Sequence, residues 1–180
     1  MKRVCLDAGH GGTDPGACSS GIKEKEFTLI MVDRIGHYLR AKGIETVFTR
    51  DGDEYVAINK RTYIARKNKC NFFLSVHCNA AGSLSAQGVE AFYAAGDLRS
   101  SKIANVLIRK ISGLTNRGVK ADNQSQHVRL GVLRGTYKTM PAILLELGFC
   151  TSEHDAVLMN NAKQREKWAE EIAGIIADAI

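Results

Sequence analysis

The sequence predicts an α/β fold with a mixed, mostly parallel sheet of about six strands, flanked by helices on both faces. Three observations support this prediction. Short apolar segments alternate with longer segments in which apolar residues recur at helical spacing. The apolar run AILLELGF at 142–149 is continuous, as expected of a strand buried on both faces. The 180 residues contain no linker, repeat or low-complexity tract, which indicates a single domain.

The first half of the chain alternates strands and helices regularly. Residues 2–7 form a short apolar strand, and a glycine-rich loop follows from Gly9 to Gly21. Residues 24–42 carry apolar side chains at i, i+3, i+4 and i+7, which predicts an amphipathic helix that ends at Gly43. The other predicted elements of this half are a strand at 44–49, a basic helix at 56–69 and a strand at 72–77.

The second half is less regular. A strand is predicted at 89–94, and we expect it to run antiparallel because a loop of about ten residues can join it directly to the preceding strand. Residues 97–114 have helical spacing, whereas residues 115–130 are polar and irregular. The remaining predicted elements are a short strand at 131–134, the apolar strand after Pro141 and a final helix at 162–180.

Three polar side chains lie in or directly after apolar strands. His10 follows the first strand, His77 ends the strand at 72–77, and Glu146 lies within the last strand. Because parallel strands end at one edge of a sheet, where open α/β folds bind ligands, we expect both imidazoles to lie together. A carboxylate in an apolar strand is costly to bury unless it is paired or bound to metal. We therefore interpret Glu146 as functional rather than as half of a structural salt bridge.

A further carboxylate is expected at this edge, from the first turn of the helix at 24–42. Glu24 and Glu26 both occupy that turn, and either would also complement the helix dipole. Two imidazoles and one carboxylate form a usual zinc ligand set that leaves one position open for water. The remaining carboxylate would then suit metal-assisted hydrolysis.

Other polar residues are expected to support this site or to lie apart from it. Asn79 faces the same side as His77 and could bind a ligand or orient a metal ligand. Asp7 and Asp14 border the His10 loop and suit a turn or a supporting role. Of the other histidines, we expect His37 and His154 at the surface and His127 beside a cleft.

The composition limits the classes of function. The net charge of +6 favours anionic partners, but the basic residues are scattered and are not interleaved with aromatic residues, so nucleic-acid binding is not expected. No apolar run approaches the roughly 18–20 residues of a transmembrane helix. We expect no signal peptide before the first strand. The five cysteines include no CxxC pair and fit reduced thiols in a reducing compartment.

Six segments, taken in order, carry the pattern of a known family. They are DAGHGGTDPGA at 7–17, GIKEKEFTL at 21–29, FFLSVHCNA at 72–80, RGVK at 117–120, VLR at 132–134 and MPAILLELGF at 140–149. Together they resemble the motifs of the zinc-dependent N-acetylmuramoyl-L-alanine amidases (amidase type 3), which cut peptidoglycan. The pattern differs after Phe149, where CTSEHD replaces an Asn-containing turn that is common in the family.

The resemblance implies that residues 1–180 form a single catalytic domain that depends on Zn²⁺. It selects Glu24 over Glu26, because the motif places the ligand directly before Lys25. The implied site consists of the zinc ligands His10, Glu24 and His77, the catalytic carboxylate Glu146 and the substrate contacts Asn79 and Arg134.

The implied reaction is hydrolysis of the amide between the lactyl group of N-acetylmuramic acid and L-alanine, by a monomer acting on the cell wall. Such a protein would be a phage lysin or a sporulation autolysin, cytoplasmic until released, or a fragment of a larger secreted autolysin. Two alternatives remain open: a zinc peptidase with a different stem-peptide specificity, and a non-catalytic peptidoglycan-binding module. The second would require one of the four site residues to be missing, and all four are present.

Overall fold

The structure is a computed structural model that describes residues 1–83, 85–125 and 129–180. Its strands are β1 (Arg3–Ala8), β2 (Cys18–Ser19), β3 (Ile22–Lys23), β4 (Glu45–Phe48), β5 (Phe72–Asn79), β6 (Val89–Tyr93), β7 (Asn116–Ala121) and β8 (Ala142–Phe149). Its helices are α1 (Glu24–Ala41), α2 (Ile58–Lys67), α3 (Leu98–Lys110), α4 (Gly131–Arg134), α5 (Glu153–Asn160) and α6 (Ala162–Ala179), with a 3-10 turn at Asp122–Gln124.

Six strands form one mixed sheet in the order β4-β1-β5-β8-β6-β7, and β2 pairs with β3 in a separate hairpin. The pairs β1/β4, β1/β5, β5/β8 and β6/β7 are parallel. Only the pair β6/β8 is antiparallel within the described sheet. Strands β1, β5 and β8 therefore all end at the same edge of the sheet. This confirms the prediction that the strands before His10 and His77 are parallel and end together.

Helices cover both faces of the sheet, as predicted. One face packs against α1, α3, α5 and α6 in a large apolar core that contains Met31, Leu107, Met159 and the fully buried Trp168. The other face packs against α2 and α4 in a smaller core, represented by Ala65 and Leu133.

Two predictions for the second half of the chain were wrong. Residues 131–134 form the helix α4, with the N–H groups of Arg134 and Gly135 donating to carbonyls four residues earlier. A short apolar run does not distinguish a strand from a buried helical turn. The segment 115–130 was predicted to be irregular, yet it contains β7, an edge strand that stays largely polar because one side has no neighbour.

The strand β6 runs antiparallel as predicted, but its partners differ from the prediction. The loop after β5 carries the chain past one strand position, and β8 later fills that position between β5 and β6. The third helix ends at Lys110, four residues before the predicted end. Helix α5 and the β2/β3 hairpin were not predicted.

The cysteines are not paired with one another in the structure. All five cysteines are free thiols, and four of them, all except Cys18, are buried. Among the helices of the described residues, none combines the length and the apolar character that a bilayer crossing requires.

The central strand β8 is expected to dominate stability. Leu145 is fully buried and lies between Val76 of β5 and Ala91 of β6. We predict that Leu145→Ala lowers the free energy of unfolding by about 2–5 kcal/mol, the usual cost of a lost side chain and the cavity it leaves. The matched change Val157→Ala, on a side chain that is 66% exposed, should alter it by less than about 0.5 kcal/mol. Urea unfolding curves with the same slope give the change in stability of each variant from its midpoint. Equal midpoints for the Leu145→Ala and Val157→Ala variants would contradict the prediction.

Candidate active site

The loop after β1 presents the imidazole of His10. His10 has a φ of 59°, in the left-handed region that residues other than glycine rarely adopt. The turn is closed by a backbone bridge between Gly11 and Asp14, with N–O distances of 2.9 and 3.1 Å. The Asp14 carboxylate lies 2.9 Å from Nδ1 of His10, which leaves Nε2 to face Glu24 at 3.2 Å. Asp14 thus has the supporting role expected of it.

Two buried arginines hold this loop by its carbonyl groups. Arg61 donates to the carbonyl of His10 at 2.7 Å and to the carboxylate of Asp7 at 2.9 Å. Asp7 is fully buried, and Thr49 and Ser75 also donate to it at 2.6 Å. The charge of Asp7 is therefore paired and fully hydrogen-bonded, which a buried carboxylate requires.

Arg50 connects the His10 loop to helix α1. Its Nη2 atom donates to the carbonyl of Gly9 at 2.9 Å and to the carbonyl of Lys25 at 2.8 Å. These two carbonyls belong to the residues next to His10 and Glu24. The guanidinium therefore fixes the distance between the two elements that carry these side chains.

Glu24 begins α1 and is only 4% exposed. Its Oε1 atom accepts a hydrogen bond from the backbone N–H of Cys78 at 3.1 Å and lies 2.9 Å from Nδ1 of His77. Its Oε2 atom accepts from the N–H of Ala17 at 2.8 Å. The carboxylate is thus held by two segments, β5 and the loop after β1, and is buried, whereas the Glu26 side chain is 57% exposed.

The ligand atoms of His10, Glu24 and His77 all lie within 4.8 Å of one another. The two imidazole rings meet edge to face, with centroids 5.0 Å apart. Two nitrogens and one carboxylate oxygen in such a cluster are a donor set that could hold a metal ion such as Zn²⁺. The sequence predicts that His10 and His77 lie at this edge of the sheet. In the structure the carboxylate beside them is that of Glu24 and not that of Glu26.

The contacts within this cluster lower the pKa of Glu24 and raise the pKa values of His10 and His77, so each group favours its charged form. Burial opposes ionisation of Glu24, but the hydrogen bonds from both imidazoles overcome it and hold the pKa of the Glu24 carboxyl below its ordinary value. Burial likewise opposes protonation of His10, but Glu24 and Asp14 raise the pKa of that imidazole to about 9. The pKa of His77 is also raised against its desolvation, by Glu24 and Glu146.

Glu146 lies beside this cluster, directly opposite His77 in the β5/β8 register. Its Oε2 atom is buried and has no hydrogen-bond partner among the residues that the structure describes. Burial raises the pKa of Glu146 to about 7, against the opposing charge of His77. A buried carboxylate oxygen without a hydrogen-bond donor is rare unless function requires it. The lack of a described partner for Oε2 therefore argues against a structural salt bridge at Glu146.

Two glycines leave room for these side chains. A Cβ atom on Gly9 would lie 2.4 Å from Cε1 of His77, and one on Gly16 would lie 2.6 Å from Oε2 of Glu24. A residue larger than glycine at position 9 would displace the His77 ring, and one at position 16 would displace the Glu24 carboxylate. The glycine-rich loop is therefore required for close approach as well as for turning.

A cavity of about 440 Å³ opens in front of the two imidazoles. Its lining includes His10 and His77 together with Tyr55, Arg129 and Val132. A larger groove of about 790 Å³ lies between α3 and α6, but its lining contains none of the donor residues.

The two predicted substrate contacts, Asn79 and Arg134, are hydrogen-bonded to other carboxylates. Asn79 donates to Glu90 at 2.8 Å, and Arg134 makes two hydrogen bonds of 2.6 Å with Asp122. Among the described residues, neither Asn79 nor Arg134 lines the 440 Å³ cavity. His37 and His154 are exposed, as expected, and His127 lies outside the described residues.

Sequence reasoning missed Arg50, Arg61 and Glu90, all of which are buried. Arg50 lies between the predicted strand at 44–49 and the predicted helix at 56–69, and Arg61 lies in a helix that was predicted only to be basic. Glu90 carries the same signal as Glu146, a carboxylate within an apolar strand, and could have been found by the same argument.

This α/β fold brings together two imidazoles and two carboxylates at the edge where its parallel strands end, an arrangement found in hydrolases and able to hold a metal ion. A family model described as N-acetylmuramoyl-L-alanine amidase matches residues 4–178 of this chain. The chain therefore belongs to that family, amidase type 3. This membership confirms the resemblance drawn from the motifs and, at the level of the family, the prediction of an enzyme.

Individual relatives agree with this assignment. The chain is 31% identical over 176 residues to the N-acetylmuramoyl-L-alanine amidase LytC of Bacillus subtilis, covering 95% of this chain and 34% of LytC. It is 33% identical over 189 residues to the endolysin of Bacillus phage SPP1, covering 99% of this chain and 66% of the endolysin. The chain thus spans about a third and about two thirds of these relatives.

A solved structure matches the whole fold. The catalytic domain of CwlV, an N-acetylmuramoyl-L-alanine amidase from Bacillus (Paenibacillus) polymyxa var. colistinus, superposes with a TM-score of 0.89 at 33% identity. The match covers 99% of this chain and 97% of that domain.

The contact between Gly9 and His77 leads to a testable prediction. We predict that Gly9→Ala lowers the affinity for Zn²⁺ about 10- to 100-fold, because the new methyl group must displace a donor ring. Competition with a chromophoric chelator measures this affinity. Gly174→Ala is the matched control, since a Cβ there has no neighbour within 4 Å. Equal affinity in the folded Gly9→Ala variant would show that the His77 ring is not a donor.

Proposed function

We propose that the protein is a zinc-dependent hydrolase that cleaves the amide bond between the lactyl group of N-acetylmuramic acid and L-alanine in peptidoglycan. One observation carries the proposal: the metal-binding atoms of His10, Glu24 and His77 lie within 4.8 Å of one another, and the neighbouring Glu146 has an Oε2 atom without a hydrogen-bond partner among the described residues. Membership of the amidase family supports the choice of bond. The net charge of +6 suits an anionic cell wall.

The residues present fit a zinc ion, and His10, Glu24 and His77 would hold it. Two neutral imidazoles and one carboxylate leave such an ion with net positive charge and an open position. A bound zinc ion would polarise the amide carbonyl and lower the pKa of a water molecule towards about 7.

The surrounding residues would set the geometry of the ligands. The Asp14 carboxylate lies 2.9 Å from Nδ1 of His10, so in a neutral imidazole it would hold the proton on that nitrogen and leave Nε2 free to bind a metal ion. Arg61 and Arg50 restrain the backbone on either side of His10. The backbone N–H of Cys78 orients the Glu24 carboxylate.

Glu146 would move the proton. It accepts a proton from the attacking water and then donates it to the amine of L-alanine as the amide bond breaks. Its buried Oε2 atom has no competing donor among the described residues, so it is available for this transfer.

Residues 1–180 would act as one catalytic domain. The larger apolar core includes residues from β1 through α6, so the first and last elements pack into one unit. We therefore expect the chain to fold and bind metal without a further segment.

Replacement of Glu146 tests the proton transfer. We predict that Glu146→Gln keeps its zinc but loses about 10²- to 10⁴-fold in kcat, the usual contribution of a positioned acid–base group. Product release from peptidoglycan gives the rate, and atomic absorption gives the metal content. Glu170→Gln, on the exposed surface of α6, should retain the full rate. An unchanged rate in Glu146→Gln would remove Glu146 from the mechanism.

Product analysis tests the proposed bond. Purified peptidoglycan digested with the zinc-loaded protein should release stem peptides with an L-alanine amino terminus, together with unsubstituted glycan, as identified by mass spectrometry. Treatment with a chelator should abolish release, and added Zn²⁺ should restore it. Cleavage within the stem peptide would favour a zinc peptidase instead. Binding without any release would favour a non-catalytic module.

A further inference from the structure

A row of polar side chains crosses three adjacent strands at the edge where the site lies. His77 of β5 is the register partner of Glu146 of β8, and Glu146 is the register partner of Glu90 of β6. Because β6 runs antiparallel to β8, the start of β6 lies at the edge where β5 and β8 end. Glu90 is therefore the next polar group along the sheet beyond the Glu146 carboxylate.

Glu90 is only 5% exposed and binds two cations. Lys120 lies 2.6 Å and Arg117 lies 3.2 Å from its Oε2 atom, while Asn79 donates to its Oε1 atom at 2.8 Å. One carboxylate thus faces two positive charges, which leaves a net charge of +1 in this cluster. The side chains of Arg117 and Lys120 remain 34% and 36% exposed, so both can still reach a ligand.

Aromatic rings help to hold both cations in place. The guanidinium of Arg117 lies over the ring of Phe149 at 4.8 Å, and the ammonium of Lys120 lies over the ring of Phe92 at 5.9 Å. Such contacts attract a cation to the ring face and restrict the side chain. A charged group that is held before binding loses less entropy when a ligand arrives.

We propose that Arg117 and Lys120 form an anion-binding subsite that takes a free carboxylate of the stem peptide, on the residue that follows L-alanine. The inference rests on the proposed function. It uses the segment RGVK at 117–120, to which the proposed chemistry assigns no role.

The position of the carboxylate follows from the spacing of the strands. Neighbouring strands are about 4.7–4.9 Å apart, so β7 lies about 10 Å from β8 and Glu146. An extended peptide advances about 3.3–3.6 Å per residue. If the scissile amide lies beside Glu146 and the peptide runs across the strands towards β7, L-alanine would lie above β6 and a carboxylate on the next residue would come within reach of both cations.

A purely structural role predicts a different result. If Arg117 and Lys120 only neutralised Glu90, one cation and the Asn79 amide would satisfy most of that carboxylate, and substrate charge would not matter. The two explanations are separated by substrates that differ only in charge.

The experiment compares two synthetic muramyl peptides that are identical except for a carboxylate or a carboxamide on the residue after L-alanine. The wild-type protein should cleave the carboxylate substrate with a kcat/KM about 10- to 100-fold higher, as charged hydrogen bonds usually provide. Arg117→Gln and Lys120→Gln should each reduce this preference through KM, with little change for the carboxamide substrate. Lys167→Gln, an exposed control on α6, should keep the full preference.

Each outcome supports or overturns the inference. Equal cleavage of both substrates by the wild-type protein would overturn the subsite and leave the proposed amidase function intact. Equal loss on both substrates in the variants would also overturn it, in favour of a structural role. Cleavage of neither substrate would overturn the proposed function and this inference with it. Should the glutamine variants fail to fold, Arg117→Lys and the decline of the wild-type preference with added salt decide the question.

Discussion

The buried guanidinium of Arg50 is the interaction on which the geometry of the site depends. The three clustered residues come from three different elements. For His10 in the loop after β1 and Glu24 in the first turn of α1, tertiary contacts rather than secondary structure set the distance between the side chains. Arg50 is 2% exposed and binds the carbonyls next to both donors. A planar group with donors at fixed angles can hold two backbones at one separation, which a flexible lysine could not. Arg61 extends the same restraint to the carbonyl of His10.

The charges at the sheet edge follow a consistent order. Asp7 is fully paired, Glu24 is shared between two imidazoles, and Glu90 is paired with two cations. Of these four carboxylates, only Glu146 has a buried oxygen for which the described part of the chain supplies no hydrogen-bond donor. Among these four carboxylates, the cost of desolvation is thus compensated by described partners at all but the one to which we assign proton transfer. The hydrogen-bond partners of each carboxylate therefore distinguish Glu146, to which we assign a reactive role, from three carboxylates that maintain structure or would hold a ligand.

The sequence predicted the sheet and much of the candidate site because both depend on local patterns. Strands β1, β5 and β8 are continuous apolar runs, and a polar residue at the end of such a run stands out without any knowledge of contacts. The choice between Glu24 and Glu26 needed the family motif, since helical position alone did not separate them. Arg50 and Arg61 could not be recognised, because their partners are carbonyl groups brought close only by tertiary folding. The edge strand β7 and the helix α4 were missed because short or half-exposed elements carry a weak hydrophobic pattern.

The place of β8 in the sheet has a consequence for how the chain reaches its native state. The strand lies in the middle of the sheet, yet it is the last strand in the sequence. Until it is synthesised, β4-β1-β5 and β6-β7 are two separate ribbons, each with an unpaired edge next to the gap. Closing the gap joins segments far apart in the chain, a step that is slow in topologies of this kind. A nascent or truncated chain that stops before residue 142 would therefore lack both Glu146 and the strand that unites the two ribbons, and would expose edges prone to aggregation.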